Sequence, residues 1–334
     1  MRASVLLGAG HVEVQERPVP AVPPGEVLVQ VASVGVCGSD VHYWRHMRIG
    51  DYVVDAPLVL GHEVSGRVVA VGEGVDADRV GGRVGVEPQR PCLACGQCLA
   101  GRYNLCPRMR FFATPPVDGA FVEYVAVPAV FAHPLPDELS DDAGALLEPL
   151  SVGIAAVRKA GTVPGDRVLV AGAGPIGVIV AQVARAFGAA EVVVSDPVRE
   201  RREAALRAGA TSVLDPAAEE VAGLGVDAFV DCSGVAAAVV AGIGALRPAG
   251  RAVVVGLGDA DMVLPVATIQ DRELTLTGIF RYTGTWPLAA HLVASGQVDL
   301  DRLVTGRYGL DDVGAALDAD RDPASLKVVV EPGR

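Results

Sequence analysis

The stretch DRVLVAGAGPIGVIVAQVARAFG, residues 166–188, decides the fold of this chain. It opens as an apolar run of strand type and continues, after three glycines, as an Ala- and Val-rich run long enough for a helix. Gly172, Gly174 and Gly177 stand at the junction in the pattern G-x-G-x-x-G. A strand, a glycine turn and a helix in this order predict the first half of a βαβ unit.

The same turn predicts a dinucleotide site, the alternative being plain turn glycines. The first glycine permits the tight turn, the second lets a pyrophosphate approach the backbone, and the third lets helix and strand pack closely. Pro175, which has no N–H, suits the start of the helix and is followed by Ile176. The helix N-terminus then attracts the phosphates.

The next apolar run, EVVVS, ends at Asp196. Its carboxylate is placed to accept hydrogen bonds from the ribose 2′- and 3′-hydroxyls, which favours NAD over the 2′-phosphate of NADP. Arg199 and Arg201 weaken this preference if they face the cofactor, and otherwise they are surface charges of a helix. Cys232, at the end of the run DAFVD, is interpreted as a small buried residue beside the cofactor.

Two patterns divide the chain. Up to about residue 145, short β-type runs are separated by Gly and Pro, whereas from about residue 150 strands alternate with Ala-rich helical runs. Alternation of this kind predicts a parallel sheet with helices on both faces. The fold class is therefore α/β, with a β-rich part before a doubly wound parallel sheet.

Composition excludes several classes of function. The 28 basic residues are outnumbered by 40 acidic ones, and the net charge of −12 repels nucleic acid. No apolar run approaches the roughly 20 residues of a membrane helix. The first residues lack the pattern of an export signal, so a cytoplasmic location is expected.

Four of the six cysteines lie in PCLACGQCLAGRYNLCP, residues 91–107, with the spacing C-x2-C-x2-C-x7-C. A disulfide knot is disfavoured in a reducing cytosol. The spacing favours one tetrahedral zinc on four thiolates over an iron–sulfur centre or unligated thiols. Such a closed site staples a loop and performs no chemistry. The predicted structural zinc ligands are Cys92, Cys95, Cys98 and Cys106.

A second candidate zinc set combines Cys37 with His62 and Glu63 some 25 residues later. A thiolate, an imidazole and a carboxylate make an open site in which a fourth position stays available to water or substrate. Taken singly, the three residues have structural interpretations: a small core cysteine, a turn histidine and a surface charge.

Six segments together resemble the zinc-dependent medium-chain dehydrogenases, specifically the sorbitol (polyol) dehydrogenase branch. They are GVCGSDVHYW, LGHEVSGRVVAVG, FFATPPVDGAFVEY, LLEPLSVG, VLVAGAGPIG and FRYTGTWP. The resemblance implies a GroES-like catalytic domain over residues 1–149, completed by 284–334, and a Rossmann NAD-binding domain over 150–283. It also implies a dimer or tetramer.

The resemblance implies roles for residues around a catalytic zinc. Cys37 and His62 are ligands, and Glu63 is a direct ligand in this branch. Glu148 is either a ligand or the carboxylate that holds the water on zinc. Asp40 orients the ligating histidine. Ser39 hydrogen-bonds the substrate oxygen. His42 is the outer member of a proton relay.

Substrate contacts are implied for Tyr43, Arg281 and Tyr282, which correspond to residues that meet polyol hydroxyls in this branch. Arg281 and Tyr282 alone would indicate interdomain packing, and His42 alone a solvent-facing loop histidine. Three further residues are candidates either for the pocket or for core packing: Phe111, Phe112 and Thr114.

The chemistry expected is oxidation of a secondary alcohol of a polyol to a ketose, with zinc as Lewis acid and NAD as hydride acceptor. One alternative is the same reaction on another secondary alcohol, such as an amino-cyclitol or threonine. Another is a dinucleotide-binding structural or regulatory protein that has lost catalysis.

Overall fold

Valine-rich strands fill the first part of the chain. The computed structural model describes residues 1–258 and 261–334. The early strands are β1 (Arg2–Gly8), β2 (His11–Glu16), β3 (Glu26–Gly35), β4 (Arg48–Ile49), β5 (Tyr52–Val53), β6 (Leu58–Val59), β7 (Glu63–Val71), β8 (Arg83–Val86), β9 (Gln89–Arg90), β10 (Arg110–Phe111), β11 (Tyr124–Pro128) and β12 (Ala132–Pro134). Helices here are α1 (Gly38–His46), α2 (Gly96–Leu99) and α3 (Asp141–Ala145), with 3₁₀ turns at Ala77–Arg79, Tyr103–Leu105 and Ala129–Phe131.

Helices and strands then alternate, as the sequence predicts. In order they are α4 (Leu147–Ala160), β13 (Arg167–Ala171), α5 (Pro175–Ala186), β14 (Glu191–Ser195), α6 (Arg199–Arg207), β15 (Ser212–Leu214), β16 (Val226–Asp231), α7 (Ala236–Ala245), β17 (Leu246–Val254), α8 (Val266–Asp271) and β18 (Thr275–Gly278). The last elements are α9 (Trp286–Ala294), β19 (Val304–Tyr308), α10 (Val313–Asp318) and β20 (Lys327–Val330), with 3₁₀ turns at Asp301–Leu303, Leu310–Asp312 and Ala319–Arg321.

The described residues divide into two compact units. The first comprises Met1–Glu148, Trp286–Ala294 and Leu300–Arg334, and the second comprises Pro149–Thr285 and Ser295–Asp299. The assignment of catalytic and cofactor-binding roles to 1–149 with 284–334, and to 150–283, stays a prediction.

The main sheet of the first unit has the order β12-β8-β7-β3-β20-β19, and β11 also pairs with β3. β3 is its centre, since β7 pairs antiparallel on one side while β11 and β20 share the other. The side chains of Val27, Val29 and Val34 on β3 are fully buried in the core of this unit. The C-terminal strand β20 therefore belongs to the same sheet as the N-terminal strands.

The second unit has a six-stranded sheet in the order β15-β14-β13-β16-β17-β18, and every neighbouring pair is parallel. The strand order reverses beside β13, where open parallel sheets place their ligand crevice. The glycine turn of residues 172–177 follows β13 directly. The predicted α/β class with a doubly wound parallel sheet is confirmed. No helix in the described part of the chain has the length and apolarity of a membrane span.

Candidate active site

Cys37 lies two residues after the end of β3 and occupies the N-cap of α1. Asp40, in the first turn of that helix, is fully buried and accepts two backbone N–H bonds, from Cys37 at 3.0 Å and from Gly61 at 2.9 Å. One carboxylate therefore joins the start of α1 to the loop before His62. The cysteine and the histidine, distant in sequence, are held close together.

His62 is buried beside Asp40, with its Nδ1 3.7 Å from Asp40 Oδ1, and its ring lies 5.5 Å from that of Phe111. Burial lowers the pKa of His62, but Asp40 and Cys37 outweigh it and raise the pKa well above its usual value. Burial raises the pKa of Asp40, yet His62 and the two backbone N–H groups lower it overall. These surroundings favour positive charge, which a metal cation supplies.

Glu63 begins β7 and pairs in register with Gly35 of β3. Its carboxylate lies across that glycine, because a Cβ on Gly35 would be 1.9 Å from Glu63 Oε2. The side chain of Glu63 is 1% exposed, and its Oε1 accepts a hydrogen bond from Lys327 Nζ at 2.5 Å. Within residues 1–258 and 261–334, Oε2 has no hydrogen-bond partner.

One ligand atom from each of Cys37, His62 and Glu63 lies within 4.8 Å of the others. Thiolate, imidazole and carboxylate are the donors that zinc takes. A buried carboxylate oxygen without a partner is costly, and a cation at this place removes that cost. The donor set therefore fits zinc, and three protein ligands leave one position open.

Glu148, the second residue of α4, is 4% exposed and lies outside this group of mutually close atoms. Burial lowers the pKa of Lys327, but Glu63, Cys37 and, more weakly, Glu148 raise it overall. Glu148 thus shares the electrostatic surroundings of the three residues without joining them.

Helix α1 carries three further predicted residues, Ser39, His42 and Tyr43, and also His46, for which the sequence makes no prediction. Ser39, His42 and His46 are spaced three and four apart, so they share one helix face. Ser39 is half-buried and His42 is exposed. Partial burial lowers the pKa of His42, and His46 and Arg45 lower it further, so its imidazole is neutral at pH 7. Tyr43, on another face, is 4% exposed.

A second metal-capable group lies on the loop around α2, where one sulfur from each of four cysteines lies within 4.8 Å of the rest: Cys92, Cys95, Cys98 and Cys106. All are free thiols. The backbone N–H of Ala94, with neighbouring groups, lowers the pKa of Cys92 to about 6, while burial and the adjacent thiols raise that of Cys98 to about 12. Four sulfur donors complete a tetrahedral zinc site and leave no open position.

The three glycines of the turn have distinct geometries. Gly172 has a φ of +92°, in the left-handed region. A Cβ on Gly177 would lie 1.8 Å from the carbonyl oxygen of Gly172, so only glycine allows this approach of helix and strand. A Cβ on Gly174 would meet nothing within 4 Å, which leaves space beside the backbone for a ligand. Pro175 and Ile176 are the first two residues of α5.

Asp196 follows β14 and is 4% exposed. Its Oδ2 accepts the backbone N–H of Ala173 and its Oδ1 that of Val198, each at 2.8 Å. These bonds fix the carboxylate against the glycine turn. It lines a cavity of about 660 Å³ together with Gly172, Gly174 and Cys232.

The structure distinguishes the roles of Arg199 and Arg201, which the sequence left open. Arg199 is exposed and forms an ion pair with Glu203 on the same helix at 2.9 Å. Arg201 lines the cavity beside Asp196, and its Nε is buried without a partner in the described part of the chain. Arg202, which the sequence reasoning missed, donates to the backbone carbonyl of Asp196 at 2.6 Å.

The other predicted substrate residues lie in the second unit, after β18. Arg281 has a φ of +55° and its guanidinium lies 4.7 Å from the ring centre of Phe280. Tyr282 is 1% exposed. In the first unit, Phe112 is buried in the hydrophobic core and Thr114 is half-buried.

Sequence reasoning also missed Gly35 and Lys327, which surround the Glu63 carboxylate. Gly35 is one of 40 glycines, and nothing in the sequence distinguishes it. Lys327 carries a weak signal, since lysine is rare in a chain that otherwise uses arginine.

Comparison with known proteins follows the same division of the chain. Residues 23–137 match the family model described as alcohol dehydrogenase GroES-like domain, and residues 175–295 match the one described as zinc-binding dehydrogenase. The chain is 41% identical to the sorbitol dehydrogenase of Bacillus subtilis, over 100% of this chain and 98% of that protein. It belongs to the zinc-dependent medium-chain dehydrogenases, in the sorbitol dehydrogenase branch.

Two further relatives agree. A probable D-xylulose reductase A of Neosartorya fischeri is 42% identical over 98% of this chain and 95% of its own length. The solved structure of L-idonate 5-dehydrogenase from Escherichia coli superposes with a TM-score of 0.93 and 31% identity, covering 99% of this chain and 97% of that one. The prediction of a dehydrogenase that uses zinc and NAD is confirmed.

Proposed function

We propose that this medium-chain dehydrogenase oxidises a secondary alcohol of a polyol, such as sorbitol or xylitol, to the ketose and passes the hydride to NAD. The observation that carries the proposal is the group of a half-buried Cys37 with buried His62 and Glu63, a mixed donor set with one open position. Relatives named sorbitol dehydrogenase and D-xylulose reductase support a polyol as substrate.

In this proposal Cys37, His62 and Glu63 hold the catalytic zinc, which when bound acts as a Lewis acid on the substrate hydroxyl. Asp40 orients His62, since a ligating imidazole needs a fixed ring direction. Ser39 hydrogen-bonds the substrate oxygen and takes its proton. His42, on the same helix face and neutral at pH 7, passes that proton to solvent.

Glu148 is assigned as a carboxylate that hydrogen-bonds substrate or water, and not as a ligand. Its position outside the group of close ligand atoms supports this choice between the two roles expected for it. Tyr43, Arg281 and Tyr282 are proposed to contact the hydroxyls of the polyol, which would explain a preference for polyols over simple alcohols.

The cofactor is proposed to bind the glycine turn with its pyrophosphate over Gly174 and the start of α5. Asp196, already fixed by two backbone N–H groups, retains lone pairs for the ribose hydroxyls. Arg201 is the second ribose-side contact, because its buried Nε lines the same cavity. The carboxylate of Asp196 favours NAD over NADP.

The four-cysteine loop is proposed to hold a structural zinc, because its donors are all sulfur and leave no open position. A cytoplasmic location is proposed because every cysteine within the described residues is a free thiol.

A homo-oligomer, a dimer or a tetramer, is proposed on the basis of β18. This strand is the last of the parallel sheet, and an unpaired edge is a template for another strand. Apolar residues nearby are exposed, with Val263 89%, Val266 59% and Phe280 49% accessible.

A substrate panel tests the proposed activity. NAD reduction is measured with sorbitol, xylitol, threonine and an inositol, and zinc is determined on the same preparation. We expect turnover with the polyols and one zinc for each of the two metal-capable groups. Turnover with threonine or inositol alone would contradict the substrate assignment. One zinc per chain and no turnover would indicate a dinucleotide-binding protein without catalysis.

A further inference from the structure

Lysine is scarce in this chain, since Lys159 and Lys327 are the only lysines among its 28 basic residues. Lys159 is exposed on α4. Lys327 begins β20, and its side chain is only 4% exposed. A buried ammonium is costly unless it is paired and hydrogen-bonded, so a lysine at this place has a specific partner.

The partner of Lys327 is Glu63. Its Nζ donates to Glu63 Oε1 at 2.5 Å and to the backbone carbonyl of Val36 at 2.8 Å. The two side chains come from the strands on either side of β3. Gly35 stands opposite Glu63 of β7 and opposite Val329 of β20. Because Gly35 has no side chain, the Glu63 carboxylate lies across it, where its Oε1 meets the ammonium of Lys327.

The two oxygens of the Glu63 carboxylate are therefore unequal. Oε1 is held by the ammonium of Lys327, whereas Oε2 has no hydrogen-bond partner among the residues that the structure describes. A carboxylate binds a metal cation through one oxygen or through both. The contact with Lys327 favours the first mode, because it occupies one of the two oxygens.

We propose that Lys327 is a positioning residue that makes Glu63 a one-oxygen ligand, holding Oε1 and presenting Oε2 to the metal. The inference rests on the proposed ligation by Cys37, His62 and Glu63, and it deepens that proposal. Without the ammonium, both oxygens of Glu63 would be available to the cation, and the second would occupy the position that the substrate oxygen requires.

The residue type suits this task. The ammonium of lysine is a compact point charge on a flexible stem and engages a single oxygen. Arginine, which this chain uses nearly everywhere else, presents a planar fork that matches both oxygens of a carboxylate. A fork at this position would compete with the metal for Oε2. A lysine here keeps the two cations on separate oxygens.

Cobalt substitution tests the inference. Cobalt(II) replaces zinc at the open site while zinc stays on the four sulfurs, and metal analysis confirms one of each per chain. In Lys327→Met the visible d–d absorption is expected to fall to about half or less, as the coordination number rises from four to five. Lys327→Gln, which retains one N–H donor, and the matched surface control Lys159→Met are expected to absorb like the unaltered chain.

Folding is checked by retention of zinc on the four cysteines and of NAD affinity. With zinc at both sites, kcat of Lys327→Met is expected to fall roughly tenfold or more, because the open position is taken. An unchanged cobalt spectrum in Lys327→Met, or a reduced one in Lys327→Gln, would overturn the inference. Cobalt lost from Lys327→Met would do so too, because a freed carboxylate binds a cation more tightly.

The unaltered chain separates the two proposals. If it takes up cobalt at the open site, the ligand set stands and the Lys327 variants decide the inference alone. If it holds metal only on the four sulfurs, the assignment of Cys37, His62 and Glu63 fails, and the role of Lys327 fails with it.

Discussion

The two metal-capable groups of this dehydrogenase contrast in composition and in origin. The four sulfurs of the closed site all come from residues 92–106, on a partly exposed loop. The three donors of the open site differ in kind. Cys37 lies at the start of α1, His62 in the loop before β7, and Glu63 at the first position of β7. The fourth feature of the open site, Lys327, comes from the last strand. The closed site is built from one short segment, whereas the open site draws its residues from several elements that are distant in sequence.

Burial differs in the same direction. Leu93 and Leu99 on the loop of the closed site are 57% and 77% exposed, so this loop has little core of its own. A metal replaces the missing apolar packing there. At the open site Glu63 is 1% exposed and Asp40 fully buried, so the protein core supports the donors there. Metal loss should therefore affect stability at one site and turnover at the other.

The largest effect is expected when a proposed ligand of the open site is removed. His62→Ala should lower kcat by about a thousandfold or more, since metal catalysis supplies several kcal/mol. One zinc should be lost while NAD still binds, because the glycine turn lies in the other unit. Steady-state kinetics, metal analysis and NAD titration check this. Retained turnover in a variant with zinc only on the four cysteines would contradict the assignment of catalysis to the open site.

A smaller effect is expected from Gly35→Ala, which keeps all three proposed ligand residues but displaces one of them. The added Cβ would lie 1.9 Å from Glu63 Oε2, so the carboxylate must move. We expect kcat/KM to fall by roughly a hundredfold, as for other displaced partners of a metal site. Gly8→Ala is the matched control, because a Cβ at Gly8 meets nothing within 4 Å. Equal kinetics in the two variants would mean that the position of Glu63 is unimportant.

A further step down is expected at His42, the outer end of the proposed proton relay. His42→Ala should lower kcat about three- to tenfold, because solvent can replace a proton carrier in part, and added imidazole should restore the rate. The pKa of His42 lies below the usual value of an imidazole. The rate should therefore fall only when the pH drops below this lowered pKa and the ring becomes protonated. His11→Ala, at an exposed histidine on β2, is the control. A pH–rate profile unchanged by His42→Ala would exclude the relay.

The smallest effect on turnover is expected at the closed site. Cys106→Ser should remove the structural zinc and lower Tm by roughly 5–10 °C. At temperatures where the variant is folded, kcat should change by less than about twofold, because no open position is lost. Calorimetry and kinetics on one preparation separate the two readouts. A collapse of kcat in folded protein would mean that the loop takes part in catalysis.

The same contrast explains what the sequence could predict. The cysteine spacing and the glycine turn are local, so residues 92–106 and 172–177 carry their own structural meaning. Residue types alone made Cys37 and His62 candidate ligands with structural alternatives. Only the resemblance to a family favoured the pair, because no periodicity links residues on different elements. The contact of Lys327 with Glu63 spans 264 positions and is made by strand pairing, which the sequence does not state. Arg199 and Arg201 differ only in the direction of their side chains, which the packing of α6 decides.

The most direct test of the account is anomalous diffraction at the zinc edge from crystals of the protein purified with zinc. The account predicts two peaks per chain, one among four sulfurs and one among Cys37 Sγ, His62 and a single oxygen of Glu63. A chain with metal among the four sulfurs and none beside Cys37 would contradict it.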